Sequence, residues 1–404
     1  METGIVEERK NLKRNRIIST IRYGTEISRH DVKKITGYSM TTVLSIIGDL
    51  VDKALLVEEE CTSVRTGRRP TWLYIQPNGL YSIGVEFNAD RLNCSVVNFG
   101  YTVVYSQQTP INGGDSADML VGKLLAAIRR AMEHLGPEAA KVIGIGLGIP
   151  GWMDRTHGSA LSYAYLRGWR DIPVRQLIER EFGCRVRVEN NINAMATAYR
   201  WQTYQQKSDD FVFFSLNYGT RMGMFINNRL FTGSGNAGEI GHVRLVNGTR
   251  FCSCGKRGCL DTEVSGRALR QKIRERMECG LFSSLKEALG GDLSKVTMDR
   301  FIEQVAMGDA DALDLLRETA GYMGQSLAMI LGTLNPQRII IASKCGMGGK
   351  LFADMVYREL QEYTVPALME GISVACIQVP DLLGAQGAAM MVMEDEFQVV
   401  EDAL

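Results

Sequence analysis

Long apolar runs are missing from this sequence. No eighteen consecutive residues are both uncharged and apolar, so no helix is expected to span a membrane. The opening residues, "METGIVEERKNLKRNR", are charged and contain no apolar h-region, so no secretory leader is expected. Net charge is missing too: 46 Lys and Arg balance 46 Asp and Glu, which removes any global attraction to nucleic acid as an argument. Six of the nine cysteines (Cys61, Cys94, Cys184, Cys279, Cys345 and Cys376) are scattered singly. That spacing excludes a disulfide framework, and a reducing cytoplasm is the expected compartment. Histidine is scarce as well, at four residues.

What is present is ordinary for a globular protein: 45% hydrophobic and 23% charged residues. A chain of 404 residues exceeds what one core usually fills, so two or three domains are expected. The balanced charge hides an asymmetry. Residues 9 to 22, "RKNLKRNRIISTIR", carry six Lys or Arg and no acid, and "RTGRR" at 65 to 69 carries three more Arg. Either run alone reads as a solvated face; the two flank one compact motif.

That motif occupies residues 1 to 78. Leu12, Ile17, Ile18 and Ile21 recur at helical spacing over Asn11–Arg22, and Gly24 ends the run. Ser28 and Asp31 have capping-box spacing for a short second helix that stops at Gly37. Ser39 caps a third helix with an apolar stripe of Val43, Ile46, Ile47, Leu50 and Val51. Its opposite face starts with Thr41, Thr42 and Ser45, short hydrogen-bonding groups of the kind a recognition helix offers to base edges. Two strand-like runs, "LLVEEE" and "TWLYIQ", then flank "CTSVRTGRRP", which reads as a wing with Arg65, Arg68 and Arg69 at its tip. Arginine at such a tip suits a narrow minor groove. A winged helix-turn-helix is therefore expected, with Ser39, Thr41, Thr42, Ser45, Arg65, Arg68 and Arg69 facing double-stranded DNA. The alternative for a trihelical unit is a protein-binding or dimerisation module.

Residues 79 to 404 change pattern. "YSIGVEFNADRLNCSVVNFG" reads as a hairpin turning at Asn88–Asp90, "TVVYSQQTP" adds a third strand, and a helix follows across 116–135. The buried strand "VIGIGLGIPG", a helix at Val174–Phe182 and the strand-to-helix run "CRVRVENNINAMATA" come next. "DFVFFSLNYGTRMGMFINNRLF" starts the same pattern again. The repetition implies an α/β chain in two similar lobes, about 79–190 with the C-terminal helix, and about 191–380. Ligands in such folds sit outside the strands' carboxyl ends, where "GIPG", "NNIN" and "NAGEIGH" fall.

The stretch "FCSCGKRGCLD" at 251 to 261 packs Cys252, Cys254 and Cys259 into eight positions, ten residues after His242. Three thiolates and one imidazole suit tetrahedral Zn2+ with no open position for an activated water, so one structural zinc per chain is expected. Two glycines between Cys254 and Cys259 let the chain curl around one ion. The alternative is a buried group of free cysteines. No Cys-x-x-Cys pair supports redox chemistry.

"GEIGH" with "CSCGKRGCLD", together with "GIGLGIPG", "VENNINAMA", the "GTRMG" turn and "LLGAQGAAMM" in that order, resembles the ROK family of repressors and sugar kinases over nearly the whole chain. The resemblance implies an actin/hexokinase-like pair of lobes. It also implies that His242 and Glu239 contact a sugar, as does the acid after "CL", which is Asp261 here and one methylene shorter than the family's glutamate. The wing and helix-turn-helix match the repressor branch, whose members are sugar-responsive transcription factors. The kinases of the family carry an Asn-Asp pair whose aspartate is the general base; this chain has Asn190 and Asn191. An amide cannot take a proton from a sugar hydroxyl, though it can bind one. The first phosphate loop reads "EFNADR", without glycine and with Glu86 and Asp90 as added carboxylates expected to repel phosphate. The second has Arg221 where the family has glycine, and the late adenosine loop is only partly glycine.

The sequence therefore points to a non-enzymatic regulator, a repressor of carbohydrate genes held as a homodimer or dimer of dimers on a near-palindromic operator. A sugar or phosphosugar in the interlobe cleft, touching Asn190, Asn191, Glu239, His242 and Asp261, is expected to control it. The alternatives are a sugar kinase with a fused DNA-binding domain and an interaction protein in which both sites serve protein partners.

Overall fold

The computed structural model describes residues 2–60, 71–203, 210–244 and 248–397. Its chain divides into two compact units, Met1–Ala194 with Gly384–Leu404, and Met195–Leu383.

The first unit opens with helix α1 (Glu2–Tyr23), the two-residue strand β1 (Ile27–Ser28), α2 (Arg29–Thr36), α3 (Met40–Asp52) and strands β2 (Leu56–Glu60) and β3 (Thr71–Ile75). Local chemistry fixes these bounds. Ser28 Oγ accepts from the Asp31 N–H while Asp31 accepts from the Ser28 N–H, the expected capping box. Gly37 closes α2 with φ of 72°, a left-handed conformation that favours glycine. Ser39 caps α3 through the Thr42 N–H. Strands β2 and β3 pair antiparallel and β1 adds to β3, which makes a three-stranded wing sheet against the helices. Arg65, Arg68 and Arg69 lie outside the described residues. Helix α1 starts nine residues earlier than the apolar spacing from Asn11 indicates, because its charged first turns form helix without presenting an apolar stripe.

The unit continues with β4 (Tyr81–Phe87), β5 (Arg91–Asn98), β6 (Val103–Pro110), α4 (Ala117–Leu135), β7 (Val142–Ile149), a small sheet of β8 (Trp152–Asp154), β9 (Ser159–Ser162) and β10 (Arg170–Ile172), then α5 (Val174–Phe182), β11 (Val186–Asn190) and the start of α6 (Asn191–Thr203), which from Met195 belongs to the second unit. The main sheet has the order β11-β7-β4-β5-β6, with β11, β7 and β4 parallel and β4, β5 and β6 antiparallel.

The second unit repeats this plan. It holds β12 (Phe211–Leu216), β13 (Thr220–Ile226), β14 (Arg229–Leu230), α7 (Asp261–Val264), α8 (Gly266–Glu278), α9 (Ser283–Ala288), α10 (Met298–Met307), α11 (Ala310–Leu334), β15 (Arg338–Ser343), α12 (Lys350–Tyr363), α13 (Pro366–Met369) and β16 (Ser373–Gln378). Its sheet order is β14-β13-β12-β15-β16, again three antiparallel strands joined to parallel ones. The two lobes read from the sequence are therefore present. The helices α7 to α10 and the β8–β10 sheet were not evident there, because they sit between the repeated strands and lack a counterpart in the other half.

The last helix, α14 (Leu383–Glu396), packs on the first unit's main sheet. A Cβ at Gly84 would lie 1.9 Å from the Ala385 carbonyl oxygen, and one at Gly146 1.8 Å from that of Ala388. Its end enters another core. Met393 and Phe397 cluster with Ile17 and Ile21 of α1, Val32 of α2, Val43 and Ile47 of α3, and with Phe99. The winged helix-turn-helix thus shares one apolar core with the lobe behind it.

Candidate functional site

The four expected metal donors converge in the second unit. The donor atoms of His242, Cys252, Cys254 and Cys259 all lie within 4.8 Å of one another. Cys252 Sγ is 3.5 Å from His242 Nδ1, and Cys254 Sγ is 3.6 Å from Cys259 Sγ. Sulfurs bound to one tetrahedral ion at about 2.3 Å are spaced by about 3.8 Å, so the cluster has the size a single ion requires. Backbone turns build it: Gly255 and Gly258 take φ of 85° and 73°, and the Cys252 N–H donates to the Lys256 carbonyl. Burial, then hydrogen bonding from Cys254 and Cys252, pushes the Cys259 thiol up to about 12. A cation at the centre supplies the charge that lets such a thiol bind as thiolate.

Next to these donors the second unit gathers its hydroxyl-binding candidates. Glu239 precedes the short turn Ile240–His242. Its carboxylate forms a short ion pair with Arg221, which also donates to the Ala237 carbonyl at 3.1 Å. Arg221 is the residue in place of a glycine in the second phosphate loop, and its guanidinium is turned onto Glu239. Asp261, at the start of α7, is buried and accepts from the Thr220 N–H at 2.7 Å, with Arg267 at 3.7 Å. Burial raises its carboxyl above the ordinary range, against the Thr220 hydrogen bond and the Arg267 charge. Asp261 thus braces the β13 turn. Glu239, His242 and Asp261 share one unit; Asn190 and Asn191 belong to the other.

In the first unit Asn190 ends β11 and Asn191 starts α6. Asn190 Oδ1 accepts from the Ile192 N–H at 2.9 Å, so this amide caps the helix start. Asn191 Nδ2 donates to Glu86 Oε1 at 3.3 Å, and Asn93 donates to Glu86 Oε2 at 3.0 Å. Glu86 is fully buried. It does not line the first loop as a carboxylate repelling phosphate, as its position in "EFNADR" suggested; β4 is buried on both faces and carries it inward. The loop itself is closed by Asn88, whose Oδ1 accepts from the backbone N–H groups of Asp90 (3.0 Å) and Arg91 (3.1 Å). Donors that would cradle a phosphate are engaged inside the turn. Glu86 as a partner for Asn191 and Arg221 as a partner for Glu239 were missed in the sequence, since nothing in either local pattern names a neighbour so far along the chain.

On α3 Thr41 and Ser45 are exposed and Thr42 is half-buried. The Thr42 hydroxyl is 2.9 Å from that of Ser39, so these two serve the helix start together.

The sequence profile described as the ROK family matches residues 82–395. The chain is 25% identical to a protein named xylose repressor from Caldicellulosiruptor bescii, over 98% of each. Among solved structures it is similar to a ROK family transcriptional regulator described as a homologue of the Escherichia coli MLC protein, with a TM-score of 0.81, 20% identity and coverage of 96% and 97%. It is also similar to a ROK family glucokinase from Streptomyces griseus in complex with glucose and AMPPNP, with a TM-score of 0.66 and 25% identity, over 78% of this chain and 99% of that one.

A metal at the cluster predicts that a strong chelator lowers the melting temperature of the wild type by several degrees. Cys254→Ala should start from the lower temperature and respond little to the chelator. An equal chelator effect on both proteins, or none on either, contradicts metal binding by these donors.

Proposed function

Because the chain belongs to the ROK family, we propose that it is a sugar-responsive, DNA-binding transcriptional repressor. The observation that carries this reading is a winged helix-turn-helix sharing a core with a ROK body in which Asn191 replaces the kinases' aspartate base. Similarity to the xylose repressor over nearly the whole of both chains supports it. Thr41 and Ser45 on α3 read base edges, and Arg65, Arg68 and Arg69 supply backbone and minor-groove contacts. The protein works in the cytoplasm as a homodimer or dimer of dimers, one half-site to each protomer.

The effector is a sugar or phosphosugar; its candidate contacts are Glu239, His242 and Asp261 in the second unit, and Asn190 and Asn191 in the first. The metal is Zn2+, since three sulfurs and one imidazole form its preferred set. Bound by four protein groups, it supplies structural bracing. It ties the loop 252–259 to His242 and so fixes the ring whose remaining nitrogen meets a hydroxyl.

Sugar phosphorylation is not expected. The kinase-like frame lacks a carboxylate at 191, two N–H groups of its first loop, those of Asp90 and Arg91, are bonded to Asn88, and Arg221 is paired with Glu239. A coupled assay with ATP, Mg2+ and common hexoses, pentoses and amino sugars should stay at background. Turnover of any one of them overturns the non-enzymatic reading.

DNA binding is tested by selection from a random duplex pool followed by fluorescence anisotropy at several salt concentrations. Arg68→Ala with Arg69→Ala should weaken binding to all duplexes and flatten the salt dependence. Ser45→Ala should cut the preference for the selected duplex by about 1–3 kcal/mol, the worth of a base contact. A wild-type protein that selects no sequence would end the repressor reading.

A further inference from the structure

Within the first unit, the turn that presents Asn190 and Asn191 is joined to helix α1 by an unbroken run of charged contacts. Glu189, the penultimate residue of β11, is 1% exposed. Its Oε1 accepts from the Asn190 N–H and from Asn193 Nδ2, both at 2.9 Å, and so sets the shape of the turn. Its Oε2 pairs closely with Arg155 and lies 3.8 Å from Arg187. Arg187 pairs closely with Asp395 in the last turn of α14. Asp395 holds Arg185 at 2.9 Å, and Arg185 is 3.8 Å from Glu396. Glu396 then meets α1: its carboxylate is 3.3 Å from Arg14, and its carbonyl accepts from Arg14 at 3.0 Å and Asn15 at 3.4 Å.

Helix α14 gives this run a stiff backing. At one end a Cβ on Gly384 would lie 2.5 Å from Glu86 Cγ, the side chain that holds Asn191. In between, the Ala385 and Ala388 carbonyls lie against Gly84 of β4 and Gly146 of β7 so closely that neither strand has room for a Cβ there. At the other end Phe397 packs on Phe99 with ring centroids 4.8 Å apart, beneath the Arg14 guanidinium at 5.2 Å. Fourteen helical residues span about 20 Å. Isolated exposed ion pairs contribute little. Here each inner member has two partners, so a change at one pair alters the balance at the next.

We infer that the run Glu189–Arg187–Asp395–Arg185–Glu396–Arg14, backed by α14, couples the Asn190–Asn191 turn to helix α1. A ligand that alters the hold of Glu189 on that turn changes the seating of α1 and, through their common core, of α3. This use of the coupling rests on the proposed effector site; the coupling itself is measurable with neither sugar nor DNA.

The test is amide hydrogen exchange on the full chain. Glu189→Gln should raise exchange in α1, over residues 9–23, several-fold. Arg14→Gln, at the other end, should raise it at residues 189–193. Asp395→Asn, in the middle, should leave each end deaf to the other: adding Glu189→Gln to it should change α1 by less than twofold. If Glu189→Gln fails to fold, Arg14→Gln still reads the coupling in the reverse direction. Exchange that changes only in the element carrying each substitution overturns the inference. The effector reading is judged separately, by whether D-xylose, D-glucose, N-acetylglucosamine or their phosphates raise the wild-type melting temperature. A protein that no sugar stabilises but whose two ends respond to each other refutes the effector and keeps the coupling.

Discussion

Helix α14 can lie where it does only because strands β4 and β7 offer it glycine. At positions 84 and 146 any side chain would enter the space of the Ala385 or Ala388 carbonyl oxygen, by more than rotamer changes can relieve. This close approach governs the layout of the first unit. It sets Gly384 against Glu86, and so fixes the carboxylate that receives the Asn191 amide. It also delivers Met393 and Phe397 into the core of the three N-terminal helices. The winged helix-turn-helix is therefore seated on its lobe by the same helix that packs behind the polar turn.

In each unit the candidate binding groups are set by where charge has been removed and where it has been tied up. A kinase on this frame needs a carboxylate at the start of α6, free N–H groups in a glycine loop and an uncluttered second loop. In this chain the carboxylate is an amide, the Asp90 and Arg91 N–H groups of the first loop serve Asn88, and the second loop carries Arg221 paired with Glu239. The groups that survive are hydrogen-bonding ones suited to hydroxyls, and in the second unit His242 sits in a cluster with Cys252, Cys254 and Cys259 whose donors could hold a metal ion. In a sugar-responsive repressor, binding energy is available to shift a conformational equilibrium.

Features that depend on nearby residues were legible in the sequence. The caps Ser28 and Ser39, the stripe Val43–Ile46–Ile47–Leu50 and the clustering of the thiols at 252, 254 and 259 each arise from chemistry within one or two turns of chain. The duplicated strand order was legible too, because hairpin-then-crossover recurs in both halves. Features made by distant partners were not. Arg187 and Asp395 are 208 residues apart, and Glu86 and Asn191 105. Glu86 was visible as a charge but not as a direction: in a strand buried on both faces, alternation does not say which way a side chain points. Helices α7 to α10 were lost for a related reason, since they have no counterpart in the first half to repeat.

One titration tests sugar-responsive repression most directly. A fluorescent duplex recovered by selection is held by the wild-type protein at fixed salt, and D-xylose, D-glucose, N-acetylglucosamine and their phosphates are added in turn. A sugar-responsive repressor predicts that at least one of them weakens the duplex by roughly tenfold or more, the scale of a coupling of about 1–3 kcal/mol. An affinity for the duplex that stays unchanged with every sugar, including any sugar shown to bind by its effect on the melting temperature, would contradict it.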